Sequence, residues 1–161
     1  MSDEVLAVVR ASTMRRGLGV ATLALLGFVV VYTAVMRPPA EPAWQMFLIL
    51  VGVFALWAAE KMRRATLLAV ELTQDSLRSS DGEVIATLEQ INSVDRSMFA
   101  FKPSNGFILR LNVRAPGRWL PGLWWRMGKR VGIGGVTAGS QAKTMADILA
   151  AMLMDRKGGS A

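Results

Sequence analysis

A run of cations and tryptophans in the C-terminal half of the chain has the residue types that bind phosphate groups. Residues 96–146 contain nine Lys and Arg and no acid, whereas residues 71–95 contain six acids and one Arg. Cations attract phosphates by charge, and indole rings favour the interface between membrane and water. The predicted partner- or lipid-binding residues are Arg114, Arg118, Trp119, Trp124, Trp125, Arg126, Lys129 and Arg130.

A plainer interpretation of the same residues remains open. The tryptophans would then be core residues, and the cations would form a solvated face without a ligand. Both interpretations agree with the sequence.

Cysteine and histidine are absent from the chain. Disulfides, thiolate nucleophiles, Cys/His zinc or iron–sulfur sites and histidine-based triads all need one of these residues. No pair of acids recurs at a spacing that indicates a carboxylate site. We therefore predict that the protein is not an enzyme and has no catalytic residue, metal or cofactor.

Two glycine-rich segments resemble nucleotide-binding motifs, but each lacks a required residue. In the dinucleotide pattern that begins at Gly132, Thr137 occupies the position of the third glycine. In the phosphate-loop pattern that begins at Gly122, the spacing is one residue too long, and Arg130 stands where Ser or Thr would bind Mg²⁺. We expect no small-molecule substrate.

The elements that must position these residues begin with two uncharged, apolar runs. Residues 17–36 form a run of twenty and residues 43–59 a run of seventeen. Twenty helical residues span the roughly 30 Å hydrocarbon core, and Trp44 and Trp57 with flanking charges complete the shorter run. The connector is proline-rich and too short for a domain. The sequence predicts a two-helix transmembrane hairpin within residues 17–62.

Cations flank this hairpin unequally. Three arginines precede the first run and three cations follow the second, whereas the connector has only Arg37. The positive-inside rule then places both termini in the cytoplasm. A cleaved signal peptide fits poorly, because the first run is long and lacks a small-x-small cleavage site.

The remaining residues, 65–161, are enough for one small domain with its own core. Asp81-Gly82 and Asn105-Gly106 are turn signals, and residues 107–114, after the second turn, place Phe107, Leu109, Leu111 and Val113 on one face of a strand. Segment 89–94 is ambiguous, with a short turn of helix as one interpretation. Strands are predicted at 67–73, 77–79, 84–88, 98–101 and 107–113.

After residue 115 the pattern becomes irregular, and its many glycines favour loops, short strands or close backbone approach. A helix is then predicted from an N-cap at Ser140 to about Met154, with an apolar stripe that packs on the sheet. The stripe consists of Met145, Ile148, Leu149, Met152 and Leu153. The predicted divisions are an N-terminal cytoplasmic segment (1–16), the transmembrane hairpin (17–36 and 43–59), a cytoplasmic domain (65–155) and a flexible tail (156–161).

This order of parts resembles the bacterial PH-domain-like membrane proteins, among them photosynthetic-complex assembly proteins. Residues 71–78 resemble their opening Leu-Thr-x-x-x-Leu strand–turn–strand, and residues 140–154 stand at their closing helix. Segments 101–107 and 121–126 resemble parts of an uncharacterised family of small bacterial membrane proteins. The resemblance implies an α+β protein of the bacterial inner membrane: a transmembrane hairpin followed by a PH-like antiparallel β domain that one C-terminal helix closes.

Two classes of function remain. In the first, a nonenzymatic accessory, assembly or scaffold protein packs its hairpin on a larger membrane protein complex and docks a partner near the bilayer through the PH-like domain. In the second, the basic, Trp-rich segment 114–130 binds an anionic membrane lipid or another polyanion, with about 1 kcal/mol from each cation. Nucleic acid is not expected as a partner. Its binding would agree with the positive charge of the domain but not with the attachment of the domain to a membrane.

Overall fold

The computed structural model describes residues 4–96 and 104–159. Its elements are β1 (Ala7–Arg10), α1 (Thr13–Met36), α2 (Pro42–Ala65), β2 (Ala69–Leu72), β3 (Ser76–Ser79), β4 (Val84–Thr87), β5 (Ile91–Asp95), β6 (Phe107–Leu120), β7 (Trp124–Ile133) and α3 (Gly139–Gly158). A 3₁₀ turn at Leu88–Gln90 joins β4 to β5. The protein is therefore α+β, with two long apolar helices, two antiparallel sheets and a C-terminal helix.

The first two helices pack against each other through small residues. Gly27 and Ala34 of α1 and Gly52 and Ala55 of α2 are buried. A Cβ atom on Gly27 would lie 2.8 Å from the carbonyl oxygen of Gly52, so the two backbones are in contact. Both helices are long and apolar enough to cross a membrane, judged by length and composition.

The strand β1 lies in the segment that sequence analysis left outside the domain. It pairs antiparallel with β2, from Ala7 opposite Leu72 to Arg10 opposite Ala69, and Val9 is fully buried. In the sequence, α1 follows β1 and α2 precedes β2. Both helices therefore belong to the connection between two strands that are neighbours in one sheet. The helical hairpin is thus an insertion in the β1–β2 connection, and the domain contains residues from both sides of it.

The two sheets and α3 share one hydrophobic core. One sheet has the order β1-β2-β3-β4 and the other β5-β6-β7. From α3, Met145, Leu149 and Leu153 are buried and Ile148 and Met152 pack partly against the core, which confirms the predicted stripe.

A long β-hairpin follows residue 115, where loops, short strands or close backbone approach were predicted. β6 continues to Leu120 and pairs with β7 as far as Leu120 opposite Trp124. Pro116, which has no backbone N–H, lies within the register shift between Ala115 and Arg118, where a strand tolerates it. Of these alternatives, loops are wrong and the strands are longer than predicted, because glycine and proline disfavour a regular strand but not a bulged one. The strand predicted at 98–101 lies outside the described residues.

The closing helix differs slightly from its predicted bounds. Ala138, not Ser140, is the N-cap residue, and its N–H donates to the carbonyl oxygen of Arg10 at 3.2 Å. At the other end α3 continues to Gly158, within the segment predicted to be a flexible tail. Arg156 explains this extension, because its guanidinium donates to the carbonyl oxygens of Leu88 and Ile91.

Candidate functional site

All eight predicted binding residues lie on the β6–β7 hairpin. Its turn reaches the ends of the long helices. A Cβ atom on Gly122 of the turn would lie 3.1 Å from side-chain atoms of Met62, at the end of α2, and of Val136. The hairpin therefore extends from the middle of the domain to the base of the helical pair.

The two tryptophans of β7 are not free to enter a bilayer. Trp124 belongs to the hydrophobic core and is 1% exposed. Trp125 is partly buried, because its indole ring packs over Gly132, where a Cβ atom would collide with it. Trp124 therefore matches the plainer interpretation of a core residue, whereas Trp125 is partly buried and does not belong to the core.

Arg126 is committed to internal hydrogen bonds. Its Nε donates to the carbonyl oxygen of Pro116 at 2.8 Å, and its Nη1 donates to those of Val84 and Ile85 at 3.1 and 2.9 Å. Its side chain is 11% exposed. Since Val84 and Ile85 lie on β4, the edge of the other sheet, Arg126 connects the two sheets rather than facing a ligand.

Arg118 stands opposite Arg126 in the β6–β7 register, where two like charges would repel. Glu83 relieves this repulsion. It lies 3.1 Å from Arg118 and 3.5 Å from Arg126. The side chain of Arg118 is nevertheless about half exposed, and a guanidinium has five N–H donors, so Arg118 can still bind a further oxygen.

Three of the predicted cations, Arg114, Lys129 and Arg130, are exposed and form no ion pair within residues 4–96 and 104–159. Two exposed apolar residues accompany them, Val113 on β6 and Met127 on β7, of which Met127 is 72% exposed. We call these five residues the hairpin patch. Since neighbouring strand residues point to opposite faces, these side chains expose positive charge and apolar area on both faces of the hairpin.

Trp119 lies beside a cation from α2. The ammonium nitrogen of Lys61 is 5.0 Å from the Trp119 ring centroid and 4.7 Å from that of Trp57. Such distances allow cation–π attraction to both rings. No carboxylate pairs with Lys61 in the part of the chain that the structure describes.

An open cleft of about 460 Å³ lies at this contact. Its walls come from the end of α2, from β6 and the following turn, and from the β3–β4 turn. The polar residues that line it are Lys61, Arg64, Asp81 and Arg118, and the apolar ones are Ala65, Leu68, Trp119, Leu120 and Pro121. We call it the junction cleft.

The contribution of Lys61 and Arg64 to this cleft was not predicted. Both were interpreted as cations that set membrane orientation, and Lys61 also as a flank of the second apolar run at the headgroup level. Both are far from Arg118 in sequence. The signal that could have indicated them is the spacing of Trp57 and Lys61, which places both on one face of a helix. Their meeting with β6 depends on the tertiary fold.

Within the described ranges, no group of three or more acidic, His or Cys side chains is placed to hold a metal ion. No protein-family model matches the chain, and neither a curated protein nor a solved structure matches it.

Proposed function

We propose that this chain is a nonenzymatic accessory, assembly or scaffold protein of the bacterial inner membrane, whose PH-like domain docks a protein partner close to the bilayer. The observation that carries the proposal is the insertion of the helical pair between β1 and β2. Only Ala11 and Ser12 separate β1 from α1, and Thr66, Leu67 and Leu68 separate α2 from β2. Two short connections hold the domain at the helix ends.

The exposure of α1 and α2 supports their insertion in a membrane. Only 11% of the apolar window in α1 and 22% of that in α2 is buried within the protein. A core helix of a water-soluble domain would be mostly buried. A cleaved signal peptide is disfavoured too, because the strand β1 that precedes α1 forms part of the sheet.

Two antiparallel sheets closed by one C-terminal helix support the PH-like assignment, since the resembled proteins have this arrangement. The Leu-Thr-x-x-x-Leu segment also fits. Leu72 ends β2 and Leu77 lies in β3, and both are fully buried. Between them, Thr73 accepts a hydrogen bond at its Oγ1 from the Ser76 N–H at 3.1 Å, which closes the turn.

The hairpin patch is the surface that we assign to the partner. Its three unpaired cations favour an acidic protein surface, and exposed Met127 and Val113 add apolar area of the kind enriched at interface centres. Arg126 and Trp124 are internal and serve only to hold β7 in place.

Affinity purification of the full-length chain from mild detergent, followed by mass spectrometry, tests the scaffold proposal. We expect a stoichiometric partner that is lost in the variant Met127→Ser/Lys129→Gln/Arg130→Gln. A matched control is Lys143→Gln/Lys157→Gln, which removes two exposed cations from α3 and should retain the partner. Absence of any stoichiometric partner, or equal loss in both variants, would contradict a docking role for the patch.

Reporter fusions test the orientation. We expect a reporter after Ala161 to be cytoplasmic and one inserted between Pro39 and Pro42 to be exported. An exported C-terminal reporter would reverse the topology and place the domain on the other side of the membrane.

Anionic-lipid binding is the second candidate function. One observation favours it: the junction cleft brings cations to the base of the helical pair, where a headgroup layer would lie. Not every predicted residue of segment 114–130 can contact a lipid, because Arg126 and Trp124 are internal.

A further inference from the structure

We infer that the junction cleft, together with the outer face of α2, binds one anionic glycerophospholipid with its phosphate among Lys61, Arg64 and Arg118. This inference rests on the proposed membrane insertion of α1 and α2. It assigns a defined site and one class of lipid, and it adds Lys61 and Arg64 to the predicted Arg118.

The level of the cleft relative to the bilayer follows from its position at the end of α2. The charge-free run ends at Ala59, and Lys61 is two residues later, or about 3 Å further along the helix axis. Trp57 and Trp119 both lie against the Lys61 ammonium. Indole rings and lysine ammonium groups are typical of the headgroup level. The cleft therefore lies where lipid phosphates lie.

The charges of the cleft fit a singly charged phosphate diester. Lys61 has no carboxylate partner within the described ranges, so its ammonium can pair with a phosphate oxygen. Arg64 uses its Nε toward Glu60 at 2.6 Å, and Arg118 uses its Nε toward Glu83 at 3.1 Å. The remaining N–H groups of both guanidiniums stay available as donors.

Asp81 narrows the choice of headgroup. A carboxylate accepts hydrogen bonds and repels a second negative charge. It therefore disfavours a phosphate monoester with two charges and favours a headgroup that carries hydroxyl donors. Phosphatidylglycerol has both features, a single negative charge and two hydroxyls.

An independent observation provides a place for the acyl chains. The exposed outer face of α2 has a shallow apolar groove, formed by Phe47, Leu50, Val51, Val53, Phe54 and Trp57. Positions 47, 50, 54, 57 and 61 recur at helical spacing, so the groove and Lys61 share one stripe of α2. Trp57 belongs to the groove and also contacts Lys61. A lipid that occupies both has its headgroup and its chains in adjoining sites.

The test is native mass spectrometry of the full-length chain, purified from membranes in mild detergent and titrated with phosphatidylglycerol or phosphatidylcholine of identical acyl chains. We expect one phosphatidylglycerol to bind at least tenfold more tightly than phosphatidylcholine. Each cation near an anionic headgroup is worth roughly fivefold in affinity. The variant Lys61→Gln/Arg118→Gln should therefore bind phosphatidylglycerol about twenty-five-fold more weakly. Arg64→Gln, which alters one exposed side chain, should give about a fivefold loss even if the double variant folds poorly.

The matched control is Lys143→Gln/Lys157→Gln, which removes the same charge from exposed positions on α3, outside the cleft. It should keep the lipid preference of the parent. Equal loss in the two double variants would show a general charge effect and overturn the inference, as would equal binding of both lipids by the parent. Inorganic phosphate added to 20 mM should not displace the lipid, and complete displacement would assign the cleft to a small anion instead.

The same preparation separates this inference from the proposed function. A chain that remains in the membrane fraction after alkaline washing but shows no lipid preference contradicts the cleft assignment alone. A chain that is released by the wash contradicts membrane insertion, and with it both proposals.

Discussion

In the helical pair, glycine and alanine are buried while large apolar side chains such as Phe28, Leu50 and Phe54 are exposed. In the domain the arrangement is reversed, with Trp124 and Phe107 buried and most arginines exposed. The hydrophobic effect drives large side chains inward only when water is outside. Helices in lipid gain nothing by burying leucine and associate through close backbone contact. The contrast supports the proposal that the helical pair lies in lipid and the domain in water.

The largest effect is expected from placing the same charge in each region. Leu109 and Leu149 are fully buried, so Leu109→Asp or Leu149→Asp leaves an unpaired carboxylate in the core. The unpaired carboxylate costs several kcal/mol, whereas the free energy of unfolding of a typical domain is about 5–15 kcal/mol. We therefore expect the domain to unfold. Loss of the cooperative melt in circular dichroism and rapid proteolysis are the measurements.

The matching substitution in the helical pair is Leu25→Asp, on the exposed face near the middle of α1. We expect the domain to stay folded while membrane integration falls, because Asp at a helix centre costs about 3 kcal/mol relative to leucine. Unchanged integration of Leu25→Asp would break the contrast between the two regions.

The second prediction removes the helices altogether. Because Arg10 stands opposite Ala69 in an antiparallel pair, an Asn-Gly turn can join residue 10 directly to residue 69. We expect the shortened chain, residues 4–10, Asn-Gly and 69–161, to be water-soluble and to melt cooperatively. A fragment of residues 65–161, which lacks β1 and the fully buried Val9, should melt at a clearly lower temperature. Equal melting temperatures would show that β1 is dispensable.

A third, smaller effect is expected at the contact of the two helices. A side chain at Gly27 would collide with Gly52 and Leu56, so Gly27→Val should destabilise the helical pair by about 1–3 kcal/mol. Gly17 provides the control, because nothing lies within 4 Å of a Cβ atom there. Thermal melting of the full-length chain in detergent should separate the two variants. Similar melting curves would argue against backbone contact.

The smallest effect compares two cations of β7. Arg126→Gln removes hydrogen bonds between the sheets and should lower the free energy of unfolding by about 2 kcal/mol, since bonds from a charged donor are worth about 1.5–3. Lys129→Gln, on the exposed patch, should change it by less than about 0.5 kcal/mol. Urea denaturation of the shortened soluble chain measures both. If the two variants were equally stable, Arg126 would not connect the sheets.

Local patterns predicted much of the fold. The helices were recognised from uncharged runs and from the stripe of α3, and the hairpin β3–β4 from Asp81-Gly82, where the Gly82 N–H donates to the Ser79 carbonyl oxygen at 2.9 Å. In β6, Phe107, Leu109 and Leu111 are buried as the alternation predicted, but Val113 is exposed. Ile108 is buried on the other side, so both faces of β6 are covered where the strand begins. The strand leaves the core after Arg110, where its register shifts.

The candidate site was predicted as a set of residues but not as a place. Arg126 and Lys129 are two cations three positions apart, and the sequence does not distinguish them. They differ because the fold brings carbonyl groups of β4 to Arg126 but not to Lys129. The same holds for Trp124 and Trp119, of which one is in the core and the other lies against Lys61.

The amino-acid sequence by itself determined the features that depend on neighbouring residues: the two apolar helices, the amphipathic closing helix, the turns and the absence of His and Cys chemistry. The tertiary structure alone decided the features that depend on distant residues: the pairing of β1 with β2 around the inserted helices, the internal role of Arg126 and the junction cleft. The physical reason is that helix formation and turn geometry are set within a few residues. Strand pairing and cleft formation require contacts across long loops, and no local pattern encodes which partner is met.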